Sequence, residues 1–288
     1  EDHEVLALLA HPDRRVRQVA QRQLTDRRAE ELLTKLALGT ADAMKLVNEV
    51  IGAAWLPYAK PRLARIHAIW ALARLNRVAA LAPMLSDADA EFRAQAARAF
   101  GEAGDFSQQA ALTLLLKDAE APVRYHAAMS LAKTGARSVA PALAEMLTSN
   151  ANRDPWLRHA GAVAFARLSD SSSLAHYAVD GASAVRMAAL VALRRLKSEE
   201  TRIYLADADP QIAAEAARAI WDKRIVGAYP ALANQAQHAH ELTRPHARRA
   251  LAAANHLGRA EDAAAIFAYL QRADVDEGLK EDCVEYVR

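Results

Sequence analysis

The stretch DPWLRHAGAVAFARL (154–168) sets an apolar residue at Leu157, a small one at Gly161 and a large one at Phe165. Steps of four put all three on one face of a helix, with polar positions turned away. The pattern returns in DAEFRAQAARAFGEAG (89–104), EAPVRYHAAMSLAKTG (120–135), ASAVRMAALVALRRL (182–196) and DPQIAAEAARAIWD (209–222). Weaker copies are DRRVRQVAQRQL (13–24), PRLARIHAIWALARL (61–75) and RPHARRALAAANHLG (244–258). The anchors are Val16, Ala64, Phe92, Val123, Leu157, Val185, Ile212 and Ala247, spaced 48, 28, 31, 34, 28, 27 and 35 residues apart. The first interval is long because GTADAMKLVNEVIGAAWL (39–56) adds one more helix. Recurrence at a near-constant period predicts a repeat array, whose units bury their apolar faces against one another.

Each copy follows a short leucine-rich segment, such as AALAPML, AALTLLL or VAPALAEML, so a helix, a tight turn and a second helix make one unit. Asp154-Pro155 and Asp209-Pro210 put an N-cap carboxylate before a proline at the first helical position, and Asp13, Asp89 and Glu120 share that register. Four residues after the anchor stand Ala20, Ala68, Ala96, Ala127, Gly161, Ala189, Ala216 and Leu251. Eight after it stand Leu24, Leu72, Phe100, Leu131, Phe165, Leu193, Ile220 and Asn255. Small residues at +4 let helices approach, and large ones at +8 fill the layer. One position after the anchor, Arg17, Arg65, Arg93, Arg124, Arg158, Arg186 and Arg248 recur, with Ala213 the exception. A cation in the first helical turn opposes the helix dipole and needs an anionic partner. Asp87, Asp118, Asp180 and Asp207, five positions before their anchors, supply candidates for a stacked Arg/Asp ladder.

Composition sharpens the class. The 288 residues are 52% hydrophobic, 25% charged and 6% aromatic, with abundant alanine and no runs of alternating β-branched residues. This predicts an all-α chain with a sizeable core. A net charge of +2 is too mild to indicate a nucleic-acid binder. Cys283 is the only cysteine, which excludes an internal disulfide and any cysteine-rich metal site. No apolar run approaches a membrane span. Both ends look cut, which suggests a piece of a longer protein.

Two-helix units with an Asp-containing turn followed by a VR..A...L run resemble HEAT repeats of the short bacterial form. The resemblance implies a right-handed α-solenoid of about eight or nine units, residues 1–288 forming a single domain with the extra helix near 40–56. The succession from DPWLRHAGAVAFARL to RRALAAANHLGRAEDAAAIFAYLQRAD is also similar to the HEAT segment of multidomain membrane-bound dehydrogenase and c-type cytochrome proteins of planctomycete and verrucomicrobial type. That likeness implies an exported or periplasmic setting and a place between redox modules. It brings no haem site, because a C-x-x-C-H run is missing around Cys283.

Candidate chemistry is sparse. His238, His240 and His246 cluster in HAHELTRPH, but two histidines at i, i+2 do not share a helix face and the third lies beyond Pro245. This reads as a polar loop with no metal. His67 and His126 share one register and read as exposed or hydrogen-bonded surface residues, and no nucleophile stands at a defined spacing from His159. Glu199-Glu200 and Glu261-Asp262 suit helix starts. No phosphate loop, nucleophile elbow, H-E-x-x-H or dinucleotide fingerprint is present.

A more informative signal lies on the second helix's outward face, at +2, +6 and +9 from the anchor. Flanking copies carry Arg22, Trp70, Arg98, Arg194, Arg218, Trp221, Arg249 and His256 there, whereas central copies carry Tyr125, Met129, His159, Val163, Met187 and Val191. In HEAT-like arrays this face lines the concave surface, so Trp70, Arg98, Tyr125, Met129, His159, Val163, Met187, Val191, Arg194 and Arg218 are expected to line a protein-binding groove. The expectation is a non-catalytic scaffold without cofactor that binds a protein or a sister domain. Two alternatives are a HEAT-like DNA glycosylase using Trp and Arg in a basic cleft, and an accessory protein of the bilin-lyase type.

Overall fold

The computed structural model describes residues 1–51 and 58–287, and all its elements are helical. The far part of the extra helix read near 40–56 lies outside the described residues; its first part is the helix Ala41–Ile51. The chain divides into two compact units, Glu1–Met146 and Leu147–Arg288.

In the first unit the second helices of the repeats are Arg14–Asp26, Pro61–Arg74, Ala90–Ala103 and Ala121–Leu131. In the second unit they are Pro155–Leu168, Ser183–Leu196, Pro210–Asp222 and Arg244–Leu257, followed by Ala260–Leu270 and Glu277–Val287. Their starts obey the capping pattern: Asp13, Asp89, Asp154 and Asp209 each accept the backbone N–H two residues on. Glu120 does not cap its helix; Asp118 instead accepts the N–H of Glu120.

The leucine-rich first elements are shorter and tighter than a pair of equal helices would require. Val78–Ser86 and Glu199–Ala206 are 3-10 helices throughout, and other first elements end in a 3-10 turn, as at Leu115–Lys117 and Tyr177–Val179. With three residues per turn, positions i, i+3 and i+6 fall in one line. Val78, Leu81 and Met84 form that line and are buried, as are Thr201 and Tyr204. A narrow stripe suffices, because the second helix supplies the wider face.

The second helices bury their anchor, +4 and +8 residues, with two exceptions: Val16 is half-buried and Asn255 is exposed. A further small position lies at +7 in seven of the eight copies, where Ala71, Ala99, Ser130, Ala164, Ala192, Ala219 and Ala254 are buried; Gln23 of the first copy is exposed. Those seven second helices therefore pack on two sides. This accounts for the alanine content, since a longer side chain at either position would hold neighbouring helices apart. Gly101 and Gly161 mark close approaches along the second helices. A β-carbon on Gly101 would lie 2.8 Å from the Cα of Ser130, and one on Gly161 would lie 2.6 Å from the buried Leu147 side chain.

Candidate functional site

The arginines at +1 solve their dipole problem by reaching backwards. Arg93 Nη1 donates to the carbonyls of Asp87 and Ala88, Arg124 Nη1 to those of Asp118 and Ala119, and Arg186 Nη1 to that of Asp180. Arg17 does the same with His11 and Pro12. Each guanidinium thus caps the C-terminal end of the element before its own helix, where a cation is favoured. Its remaining donors face the next repeat. Arg65 pairs with Asp87 at 2.7 Å, Arg93 with Asp118 at 2.8 Å and Arg186 with Asp207 at 2.8 Å. The Arg93 hydrogen bonds hold the Asp118 carboxyl below the usual carboxylate range, and Arg93 is raised in turn. Asp87, Asp118, Asp180 and Asp207 also accept the N–H two residues on, which fixes each turn.

Four members of the expected ladder, Arg17, Arg124, Arg158 and Arg248, depart from it. Arg17 Nε donates to His67 Nε2, which obliges His67 to carry its proton on Nδ1 and donate it to Gln21 Oε1. Five residues before the anchor that follows Arg124, the sequence has Asn152 in place of aspartate. Arg158 is exposed, and among the described residues no ion pair joins it to Asp180. The turn ahead of Arg158 is built differently. Ala151 and Asn152 take left-handed backbone, Asn150 bonds to both the N–H and the carbonyl of Asp154, and Arg153 caps Ser149 and Asn150. Arg153 thus caps the preceding helix end from within the turn, at carbonyls earlier than those a +1 arginine takes in the other repeats. Arg248 pairs with Asp282 at 3.2 Å on the surface.

The outward face divides between the two units. In the first, Arg98 lies over the Trp70 ring at 4.4 Å and bonds to Glu102. Beside them Arg98, Tyr125, His126, Met129 and Lys133 line a cavity of about 340 Å³. Tyr125 and Met129 are half-buried, and Lys133 is held by the Gly101 carbonyl. His126 is half-buried too, and burial lowers its pKa, with the positive Arg98 adding to the effect. His67 is lowered for the same first reason. Neither is a freely exposed surface histidine.

In the second unit His159 is exposed, Met187, Val191 and Arg194 are half-buried and Arg218 is exposed. Val163 is buried at 8% exposure and offers little surface to a partner, because neighbouring helices cover the central part of its helix. Beside the expected arginines the structure gathers carboxylates as well. Arg194 and Arg218 share Glu215, and Arg218 and Arg249 share Asp222. Glu215 and Asp222 stand three and ten residues after their anchor, positions that single-helix periodicity does not flag.

Of the histidine loop, His246 is buried, its Nε2 has no hydrogen-bond partner, and burial lowers its pKa to about 4. Among the described residues no three His, Cys, Asp or Glu side chains converge as metal ligands, and no helix is long and apolar enough to cross a membrane. The Cys283 thiol is buried, which pushes its pKa up to about 11.

Together these features define the class: an all-α protein of HEAT-like helical repeats cemented by arginine. A family model for HEAT repeats matches residues 78–166. Among solved structures the chain is similar to one in the complex of CpcE and CpcF of phycocyanin lyase from Nostoc sp. PCC7120, at 20% identity and a TM-score of 0.38, covering 84% of this chain and 92% of that one. It is also similar to human deoxyhypusine hydroxylase, at 18% identity and a TM-score of 0.33, covering 92% and 98%. An engineered protein overlaps at 18% identity and a TM-score of 0.39, covering 100% and 98%. No curated protein matches the chain.

Proposed function

We propose that this chain is a non-catalytic scaffold that binds a protein partner, or a sister domain of the same polypeptide, through the outward face of its second helices. One observation carries the reading: the +2 and +6 positions that leave the core bring Arg98, Tyr125 and Met129 together around one open cavity, with Trp70 stacked under Arg98. Aromatic, Met and Arg side chains are those enriched where proteins meet. Arg65, Arg93 and Arg186, in contrast, are occupied in pairs between repeats. The setting among exported dehydrogenases rests on the sequence resemblance alone.

A random peptide library displayed on phage provides the test. Selected peptides are expected to lose capture, by about tenfold or more, with Met129→Glu or Met187→Glu, and to keep it with Leu114→Glu, an exposed residue of a first element. The same protein is expected to leave duplex DNA unshifted on a gel. A library that yields no binders, or binders indifferent to both methionine substitutions, would sink the scaffold. A salt-dependent duplex shift would favour the basic-cleft alternative instead.

A further inference from the structure

The second-helix signature breaks at one large position. Asn255 stands at +8 where the other seven copies carry Leu, Phe or Ile, and it is exposed. The core role falls to Ala254 one residue earlier, which is buried. Asn255 instead joins Ala252, Trp221, Asp222, Arg249 and His256 around a cavity of about 470 Å³ between helices Pro210–Asp222 and Arg244–Leu257.

One wall is aromatic and already fixed. Trp221 stacks on the buried Tyr229 with centroids 5.3 Å apart, and His256 meets the two rings edge-on at 6.1 and 5.4 Å. A half-buried indole held on one side in this way presents its remaining surface without further ordering cost. The other wall is formed by Asp222, Arg248 and Arg249, and a network of ion pairs behind it leaves the charge incompletely neutralised. Through the pairs Arg194–Glu215, Arg218–Glu215, Arg218–Asp222, Arg249–Asp222 and Arg248–Asp282, four guanidinium groups meet three carboxylates. Asp222 is stretched between two of them, 3.4 Å from Arg218 and 3.2 Å from Arg249, and is itself 41% exposed. A guanidinium offers five donors, so both arginines retain N–H groups for a further acceptor.

We infer that this cavity binds an acidic peptide segment, with an Asp or Glu carboxylate on Arg249, which lines it, and on Arg218, which flanks the lining beyond Asp222, and an adjacent apolar side chain against Trp221. The surplus of one positive charge matches one carboxylate. A nucleic-acid backbone would carry successive phosphates past Glu215 and Asp222, which repel them. The inference deepens the scaffold reading and rests on it.

The test uses the whole chain and short fluorescein-labelled peptides in three pools, in which leucine alternates with Asp/Glu, with Asn/Gln or with Lys. Fluorescence anisotropy is expected to give about tenfold tighter binding of the acidic pool than of the amide pool, a margin that narrows as salt rises. Arg218→Gln and Arg249→Gln should erase that preference. Trp221→Ala should weaken acidic and amide pools alike, by about tenfold. Arg218 is exposed, so its substitution reports even if the half-buried Arg249 variant misfolds. The inference falls if the acidic pool binds no better than the amide pool, if Arg218→Gln leaves the preference intact, or if inorganic phosphate or duplex DNA competes as well as acidic peptide. If phage-selected peptides still depend on Met129 or Met187 in that event, the scaffold stands without it.

Discussion

His246 illustrates how burial rewrites a residue that its neighbours in sequence made look like a loop histidine. Its ring is 2% exposed, Nε2 has no partner, and its pKa lies at about 4 against an ordinary value near 6.5. Between those values the unfolded chain binds a proton that the folded chain refuses, so stability rises with pH across that window. The contribution is present in full above about pH 6.5 and is lost as pH falls towards about 4, at most ~3 kcal/mol. Thermal melts of the wild type are expected to drop across this range, and His246→Leu should flatten part of the drop. An unchanged pH profile in the variant would show that His246 stays unprotonated for no energetic cost. Nothing in HAHELTRPH separates His246 from His238 or His240, since the distinction is which side of the helix Arg244–Leu257 meets a neighbour. Arg158 departs for the opposite reason: its residue type matches the ladder, but the turn before it is built by Asn150, Arg153 and the left-handed Ala151 and Asn152.

At the scale of the element, periodicity exposed the anchor, +4 and +8 face and the N-caps, because helical geometry fixes both locally. It did not reveal the second packed side at +7, although the recurring small residues there were a signal that an alignment of the eight copies contained. It also did not reveal that first elements tighten into 3-10 turns, a choice set by the narrow stripe each must bury. The close crossings yield a direct test. Gly101→Ala gains about 1 kcal/mol of helix propensity. The new β-carbon would nevertheless sit 2.8 Å from the Ser130 backbone, which cannot rotate aside. Overpacking costs about 1–3 kcal/mol, so denaturant unfolding should give a net loss of stability. A more stable variant would mean the helices Ala90–Ala103 and Ala121–Leu131 can separate without penalty.

Across the molecule, the arginine at +1 is the device that couples one repeat to the next, and its members differ in ways that can be measured. Arg93 is 16% exposed and Asp118 8%, with two backbone carbonyls also depending on the guanidinium. Arg93→Ala is therefore expected to cost about 3 kcal/mol, since it strands a buried carboxylate. Arg158→Ala should change stability by no more than about 0.5 kcal/mol. Equal losses in chemical denaturation would refute a ladder with unequal rungs. The sequence by itself determined the repeat, its all-helical class and the residue types of the mortar, because period, capping and charge placement are local and recur from copy to copy. Only the tertiary structure decided which rungs close, which outward side chains are covered, as at Val163, and where Arg218, Asp222, Arg249 and Trp221 meet. Those outcomes depend on the approach of neighbouring helices, which a single helix's periodicity does not encode.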